Sequence, residues 1–235
     1  MVIVGIVAGG TGSRMGADRP KQMLDLCGKP VLIRTAQAFL RHSQVGHIII
    51  GIHPDWYDEV KALTEKELDS RVSVTPGGSD RNDTVMNIIN YAKSLDDVSD
   101  DTIILTHDAV RPFVTDRMID DSIAAMDNYA ICTAAVPATD TIVVSENGQT
   151  VCDFPLRSTM YQVQTPQTFR IGDFVGVYSG LTEKEKSEIT DVCKLFYRKG
   201  HEVGLIMGDQ KNIKLTYPAD LTAARTFFEE QEKNQ

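Results

Sequence analysis

Val2-Ile-Val-Gly-Ile-Val-Ala-Gly-Gly-Thr-Gly-Ser-Arg-Met-Gly-Ala-Asp-Arg-Pro-Lys-Gln22 decides how the rest of the chain is read. Its first part, Val2 to Val7, is a short apolar run rich in β-branched residues, which suits a buried parallel strand. Its second part, Gly9 to Gln22, is a glycine-rich loop. Glycines let backbone N–H groups close round an anion with no Cβ in the way. From Thr11 to Gln22 the loop carries Arg14, Arg19 and Lys21 against only Asp18, within a chain of formal net charge −9. Positive charge is concentrated where the glycines are, so the loop is expected to hold something anionic.

Two familiar phosphate motifs fail on spacing. A dinucleotide fingerprint needs G-x-G-x-x-G and an acid about 20 residues on. Here Gly10-x-Gly12 is followed by Met15 at the third position, and the nearest strand-end acid, Asp55, comes too late. A P-loop needs Gly-Lys-Ser/Thr, whereas Gly28-Lys29 runs into Pro30. A connecting turn with incidental charge is the plainer alternative, but irregular connections of this length are usually functional.

The 235 residues are 42% hydrophobic, enough to bury a sizeable core in one domain spanning 1–235. No cationic and apolar leader opens the sequence, and no apolar run approaches the roughly 18 residues of a membrane span, so a soluble, cytoplasmic protein without a membrane partner is expected. Cys27, Cys132, Cys152 and Cys193 are scattered without a C-x-x-C pair, which points to small core residues rather than a zinc site or a disulfide framework. The acidic balance disfavours nucleic acid as a partner.

Outward from the loop, strand and helix patterns alternate. Leu32–Arg41 has helical periodicity, Val45–Ile52 is strand-like, Asp55–Leu68 helical, Val72–Val74 a short strand and Asp83–Ala92 helical. Thr102–Thr106, Asp116–Met126 and Ala130–Val136 continue as strand, helix and strand. Such alternation predicts an α/β fold, a Rossmann-like, mainly parallel sheet with helices on both faces, whose ligands sit beyond the carboxyl ends of the strands. The loops 8–22, 76–84 and 107–112 all leave such ends and should converge. Thr141–Val144 and Thr150–Cys152 flank Glu146-Asn-Gly148, a hairpin signal that predicts an inserted antiparallel arm at about 137–160. The polar tail Glu229–Gln235 is expected to fray.

Two further loops carry chemistry. Gly77-Gly-Ser-Asp-Arg-Asn-Asp-Thr84 offers Ser79 and Thr84 as hydrogen-bonding groups for base edges, with Gly78 allowing close approach. Equally, it reads as a helix start capped by Asp80 or Asp83. His107-Asp-Ala-Val-Arg-Pro112 places a carboxylate directly after a strand. Asp108 suits Mg²⁺, which takes one or two carboxylates plus substrate phosphates; the competing reading is an Asp108–Arg111 salt bridge. His107 reads as a hydrogen-bonded support.

Ala8-Gly9-Gly10-x-Gly12-x-Arg14-Met15-Gly16 with Pro20-Lys-Gln22 resembles the signature loop of sugar-phosphate and polyol-phosphate nucleotidyltransferases, and Pro-Lys-Gln resembles their cytidylyltransferase branch. Pro137-Ala-Thr-Asp-Thr-Ile142, Arg157 to Gln167, Thr190-Asp191 and Lys211 to Leu221 follow the same pattern in order. The resemblance runs from Val2 to about Ala224 and is to the family containing methylerythritol-phosphate and ribitol-5-phosphate cytidylyltransferases. The forms of 77–84, 106–113 and 160–167 are most similar to the ribitol-phosphate branch.

The resemblance implies a Mg²⁺-dependent enzyme that makes CDP-ribitol and pyrophosphate from CTP and D-ribitol 5-phosphate for teichoic acid synthesis, with methylerythritol 4-phosphate as the alternative acceptor. It implies that Arg14 and Lys21 hold the triphosphate. Ala8, Gly9, Gly10, Thr11, Gly12, Gly78, Ser79, Asp80, Arg81, Thr84, Ala109 and Arg111 would seat the nucleotide, with Asp108 on the metal. Lys214, Thr216 and Asp191 would face the acceptor. The arm would exchange with a second subunit, so Arg157 and Thr141 would serve the partner's site in a homodimer. A rival of another class is a nucleotide-binding regulator without turnover, but a sensor has no need of the transition-state charges Arg14, Lys21, Asp108 and Lys214. A nicotinamide-dependent oxidoreductase is disfavoured by Met15 and the missing acid.

Overall fold

Val2 to Ala8 forms strand β1, and its alternate side chains leave for opposite faces although nearly all are apolar. Val4 and Ile6 enter one hydrophobic cluster and Ile3 the other. A strand buried on both faces is what an uninterrupted β-branched run predicts. In the computed structural model, which describes residues 1–10, 19–189 and 191–233, the chain continues through β2 (Asp25–Leu26), β3 (Lys29–Pro30), α1 (Val31–Leu40), β4 (Val45–Ile52), α2 (Tyr57–Glu67), β5 (Val72–Pro76) and α3 (Arg81–Ala92). It goes on with β6 (Ile103–Asp108), α4 (Asp116–Ala124), β7 (Ile131–Pro137), β8 (Tyr161–Arg170), α5 (Ile171–Ser179), α6 (Glu183–Glu188), α7 (Val192–Arg198), β9 (Val203–Met207) and α8 (Pro218–Lys233).

Seven strands form one sheet in the order β5-β4-β1-β6-β8-β7-β9. All pairings are parallel except those that β8 makes with β6 and β7. Helices α1, α2 and α4 cover one face through Leu32, Phe39, Val60, Met118 and Ile119. Helices α3, α5 and α7 cover the other through Val85, Ile88, Phe174 and Phe196. Helix α3 lies so close to β4 that a Cβ on Gly51 would stand 2.6 Å from Thr84 Cγ2. A third, smaller cluster joins α8 to β2 and the segment after β6 through Leu26, Val110, Phe113, Leu215, Ala224 and Phe228.

The α/β expectation holds up to β7, with boundaries moved by a few residues. Helix α3 starts at Arg81 rather than Asp83 because Asp80 caps it, its Oδ1 accepting from the Asp83 N–H at 2.9 Å. Two expectations need correction. The segment between β7 and β8 does leave the sheet as an arm, closed at its base by Ala138 N–H to Met160 O (2.9 Å), but Thr141–Val144 and Thr150–Cys152 do not pair as strands. They meet at one isolated bridge, Val144 with Asp153, round a tip where Gly148 has φ +69° and Asn147 Oδ1 accepts from the N–H groups of Gln149 and Thr150. The turn chemistry is as expected, but within this chain the arm's side chains lie exposed, and two strands without a covering layer are marginal. Nor is the polar tail irregular from Glu229, since α8 runs on as helix to Lys233 beyond the buried Phe228; Asn234 and Gln235 lie outside the described residues.

Candidate active site

The carboxyl ends of β1, β4, β5 and β6 border a cleft of about 800 Å³, and the three expected loops converge on it. Its lining includes Ala8, Gly9 and Gly10, then Lys21 and Gln22, then Gly77 to Arg81 with Thr84, then Asp108 and Ala109, and finally Lys214. The buried Gln22 amide donates to Ala8 O (2.8 Å) and Gly10 O (3.0 Å), which shapes the start of the glycine loop. Pro20-Lys-Gln22 was legible as a motif, but nothing in it said that Gln22 points inward. Thr11, Gly12 and Arg14 lie outside the described residues.

The 77–84 loop is tied to itself. Gly78 N–H donates to Thr84 Oγ1 (3.0 Å), and Thr84 donates to Asp80 O (2.8 Å). A Cβ on Gly78 would lie 2.2 Å from Asp83 Cβ, so only glycine allows this close return. Ser79 and Tyr178 each donate to the Asp83 carboxylate, Ser79 to Oδ2 and Tyr178 to Oδ1, and hold its pKa below the ordinary value. The capped helix start and the cleft wall are therefore one structure.

Asp108 is the electrostatic centre. Arg81 Nη1 reaches its Oδ1 at 3.0 Å, while Arg111 Nε (3.1 Å) and Lys214 Nζ (3.0 Å) reach Oδ2. Burial alone would raise the carboxyl's pKa, but Arg81, Lys214 and Arg111 outweigh it and hold it well below the usual carboxylate range. The salt bridge to Arg111 thus exists, and the same carboxylate also faces the cleft. His107, fully buried, is pushed down to about 4 by that burial, so it is neutral at pH 7. Its Nε2 lies 2.9 Å from Arg111 O, which can only accept, so Nε2 carries the proton. Nδ1 then accepts from Thr165 Oγ1 (3.0 Å), which itself accepts from the Asp108 N–H (3.1 Å). With both ring nitrogens committed, His107 supports Asp108 and is not a proton carrier to the cleft.

The remaining expected residues stand apart from this lining. Arg157 and Thr141 are on the exposed arm, Arg157 Nη1 donating to Thr139 O at 3.4 Å. Asp191 caps α7, accepting from Lys194 N–H (3.1 Å) and from Gln167 Nε2 (2.7 Å). Thr216 precedes α8, its N–H donating to Asp220 Oδ2 (2.7 Å). Among the described residues no group of three or more His, Cys, Asp or Glu is placed to hold a metal. A carboxylate has about four lone-pair positions, and the three ion pairs leave one on Asp108, enough for a cation otherwise held by phosphate oxygens and water. No described helix is long and apolar enough to cross a membrane.

Known proteins match this chain over nearly its whole length. The family described as IspD, 2-C-methyl-D-erythritol 4-phosphate cytidylyltransferase, matches residues 1–230. A ribitol-5-phosphate cytidylyltransferase of Streptococcus pneumoniae serotype 2 is 42% identical over 233 residues, covering 97% of this chain and 99% of the relative. Among solved structures, a 4-diphosphocytidyl-2C-methyl-D-erythritol synthase from Anaerococcus prevotii superposes with a TM-score of 0.79 at 26% identity, covering 97% of this chain and 98% of that one. The 2-C-methyl-D-erythritol 4-phosphate cytidylyltransferase of Francisella tularensis gives 0.75 at 26% identity, covering 96% and 99%.

Proposed function

This chain belongs to the IspD family of cytidylyltransferases, and from that premise we propose that it transfers the cytidylyl group of CTP to D-ribitol 5-phosphate, giving CDP-ribitol and pyrophosphate within one domain spanning the chain. The observation that carries the acceptor is the 42% identity, end to end, with a protein named for that acceptor. An oxygen of the acceptor's phosphate attacks the α-phosphorus, a new O–P bond forms, and the bond to the pyrophosphate oxygen breaks with its electrons leaving on pyrophosphate. The nucleophile is already anionic, so no general base is required, and positioning and charge stabilisation carry the rate.

In this reading Ala8, Gly9, Gly10, Gly78, Ser79 and Thr84 form the nucleoside seat, and Lys21, with Arg14, meets the charge gathering on the leaving group. Lys214, held by Asp108 on the cleft lining, is positioned to receive the acceptor's phosphate as the two substrates approach, and Arg111, buried behind the same carboxylate, keeps Asp108 in place. Mg²⁺, when bound, neutralises triphosphate charge, and Asp108 is the residue that would hold it. The exposed arm carries Thr141 and Arg157 into the site of a second copy. Thr216 and Asp191, outside the cleft lining of this chain, are assigned to the acceptor by the family resemblance alone.

The test is kcat/KM for D-ribitol 5-phosphate and 2-C-methyl-D-erythritol 4-phosphate under the same CTP and Mg²⁺. Preference for the unbranched polyol by about 100-fold or more is expected, because a site built to pair a hydroxyl rejects an analogue that leaves its polar groups unsatisfied. A preference for the branched acceptor would give the chain the activity named in its family's description.

A further inference from the structure

Strand β8 breaks register where it passes Asp108. Thr133 pairs with Gln167 and Ala135 with Val163, so Gln164, Thr165 and Pro166 stand opposite Ala134 alone. Such bulges re-aim side chains, and here they re-aim two in different directions. Thr165 turns to β6, where its hydroxyl receives the Asp108 N–H and donates to His107. Gln164, itself buried, turns to the loop after β9: its Nε2 donates to Asp209 O (2.9 Å) and its Oε1 accepts from the N–H of Asp209 (3.3 Å). The side-chain amide thus stands in for a strand neighbour of Asp209. Asn212 completes the tie from the loop's side, its Nδ2 donating to Thr165 O (2.9 Å) and Gln164 Oε1 (3.3 Å), while its carbonyl accepts from Arg111 Nη1 (2.8 Å).

The Asn212 side chain is fully buried and its Oδ1 has no hydrogen-bond partner among the described residues. Leaving a buried acceptor unmade costs about 1–3 kcal/mol, so the position keeps an amide for its two donors and not for its oxygen. Two residues beyond Asn212 is Lys214, whose Nζ reaches Asp108. The bulge therefore anchors both ends of that ion pair, Asp108 through Thr165 and the Lys214 loop through Gln164 and Asn212.

We propose that Gln164 and Asn212 are positioning residues that set the reach of Lys214 toward the reacting phosphates, and so govern turnover and acceptor use and not CTP binding. The inference rests on the reading of Lys214 given above. The nucleoside seat is built from the loops after β1 and β5, whereas the side chains of Gln164 and Asn212 bond to the loop after β9 and to β8.

Gln164→Ala and Asn212→Asp should lower kcat about 10-fold or more and raise KM for the polyol phosphate, with Kd for CTP changed less than about twofold. Gln164→Glu, which keeps the acceptor for Asp209 N–H but loses the donor, should fall between wild type and Gln164→Ala. In a Lys214→Ala background, Gln164→Ala or Gln164→Glu should cost little more, because the group they position is gone. Full additivity of the two losses, or a loss of CTP affinity equal to the loss of kcat, would overturn the proposal while leaving the role of Lys214 intact. Undiminished activity of Lys214→Ala alone would overturn both.

Discussion

His107 is the residue whose environment yields the clearest solution signature. Burial lowers its pKa to about 4 from an ordinary value near 6.5, so between those limits the unfolded chain binds a proton that the native chain refuses. Its contribution to stability is complete above about pH 6.5 and is lost as pH falls toward 4, by up to about 3 kcal/mol. Asp108, shifted down by its three cations, loses its own contribution only as pH falls below about 4, the range in which an unfolded aspartate titrates, so the two separate on the pH axis. Half-buried His47 is shifted in the same direction as His107, also by burial. The measurement is therefore a comparison: the stability of wild type, by urea unfolding from pH 7.5 to 5, should fall more steeply than that of His107→Gln. Parallel curves would mean that the buried imidazole is not held neutral.

At the scale of elements, the arm between β7 and β8 is the part least explained by one chain. Phe154 and Leu156 are 68% and 69% exposed, and Val143, Val144 and Val151 are more than 40% exposed on the same segment. Clustered apolar exposure of this kind marks an interaction surface, in keeping with the proposed exchange of arms between two copies. Phe154→Asp with Leu156→Asp should shift the protein from dimer to monomer in sedimentation velocity. Because Thr141 and Arg157 ride on the same arm, turnover should drop with it by about tenfold or more. A wild-type protein that sediments as a monomer while fully active would remove the arm from the mechanism.

At the scale of the molecule, the C-terminal helix bears on a site whose lining comes from the N-terminal half except for Lys214. Phe228 of α8 packs 5.1 Å from Phe113, which follows β6, and lies under Arg34 of α1 at 4.9 Å. Leu215, one residue after Lys214, is buried in the same cluster, and its N–H donates to Val110 O at 3.0 Å. Phe228→Ala should cost about 3 kcal/mol of stability. It should also lower kcat more than CTP affinity, since the Lys214 loop rests on this cluster and the nucleoside seat does not. Thermal unfolding, turnover assays and CTP titration read these effects separately; equal losses of kcat and CTP affinity would mean that α8 supports the whole sheet rather than this loop.

Local signals carried much of this protein. An apolar run followed by glycines and cations made β1 and its anion loop legible. Period and turn chemistry marked the elements up to β7, and the Asn147-Gly148 tip was readable although the strands beside it were not. An acid directly after an apolar strand pointed to Asp108, and the resemblance of ordered blocks to a known family implied Lys21 and Lys214, because residue types at fixed spacing are a one-dimensional property. What the sequence left undecided depends on distant segments meeting. The order of β6, β8 and β7 and the reversal of β8 arise from pairings dozens of residues apart. That Asp108 gathers Arg81 from α3, Arg111 from its own loop and Lys214 from beyond β9 is likewise a matter of tertiary packing. The amides of Gln22, Gln164 and Asn212 show the reason: a buried polar side chain is chosen for the backbone group it must satisfy, and which backbone group that is exists only once the chain has folded.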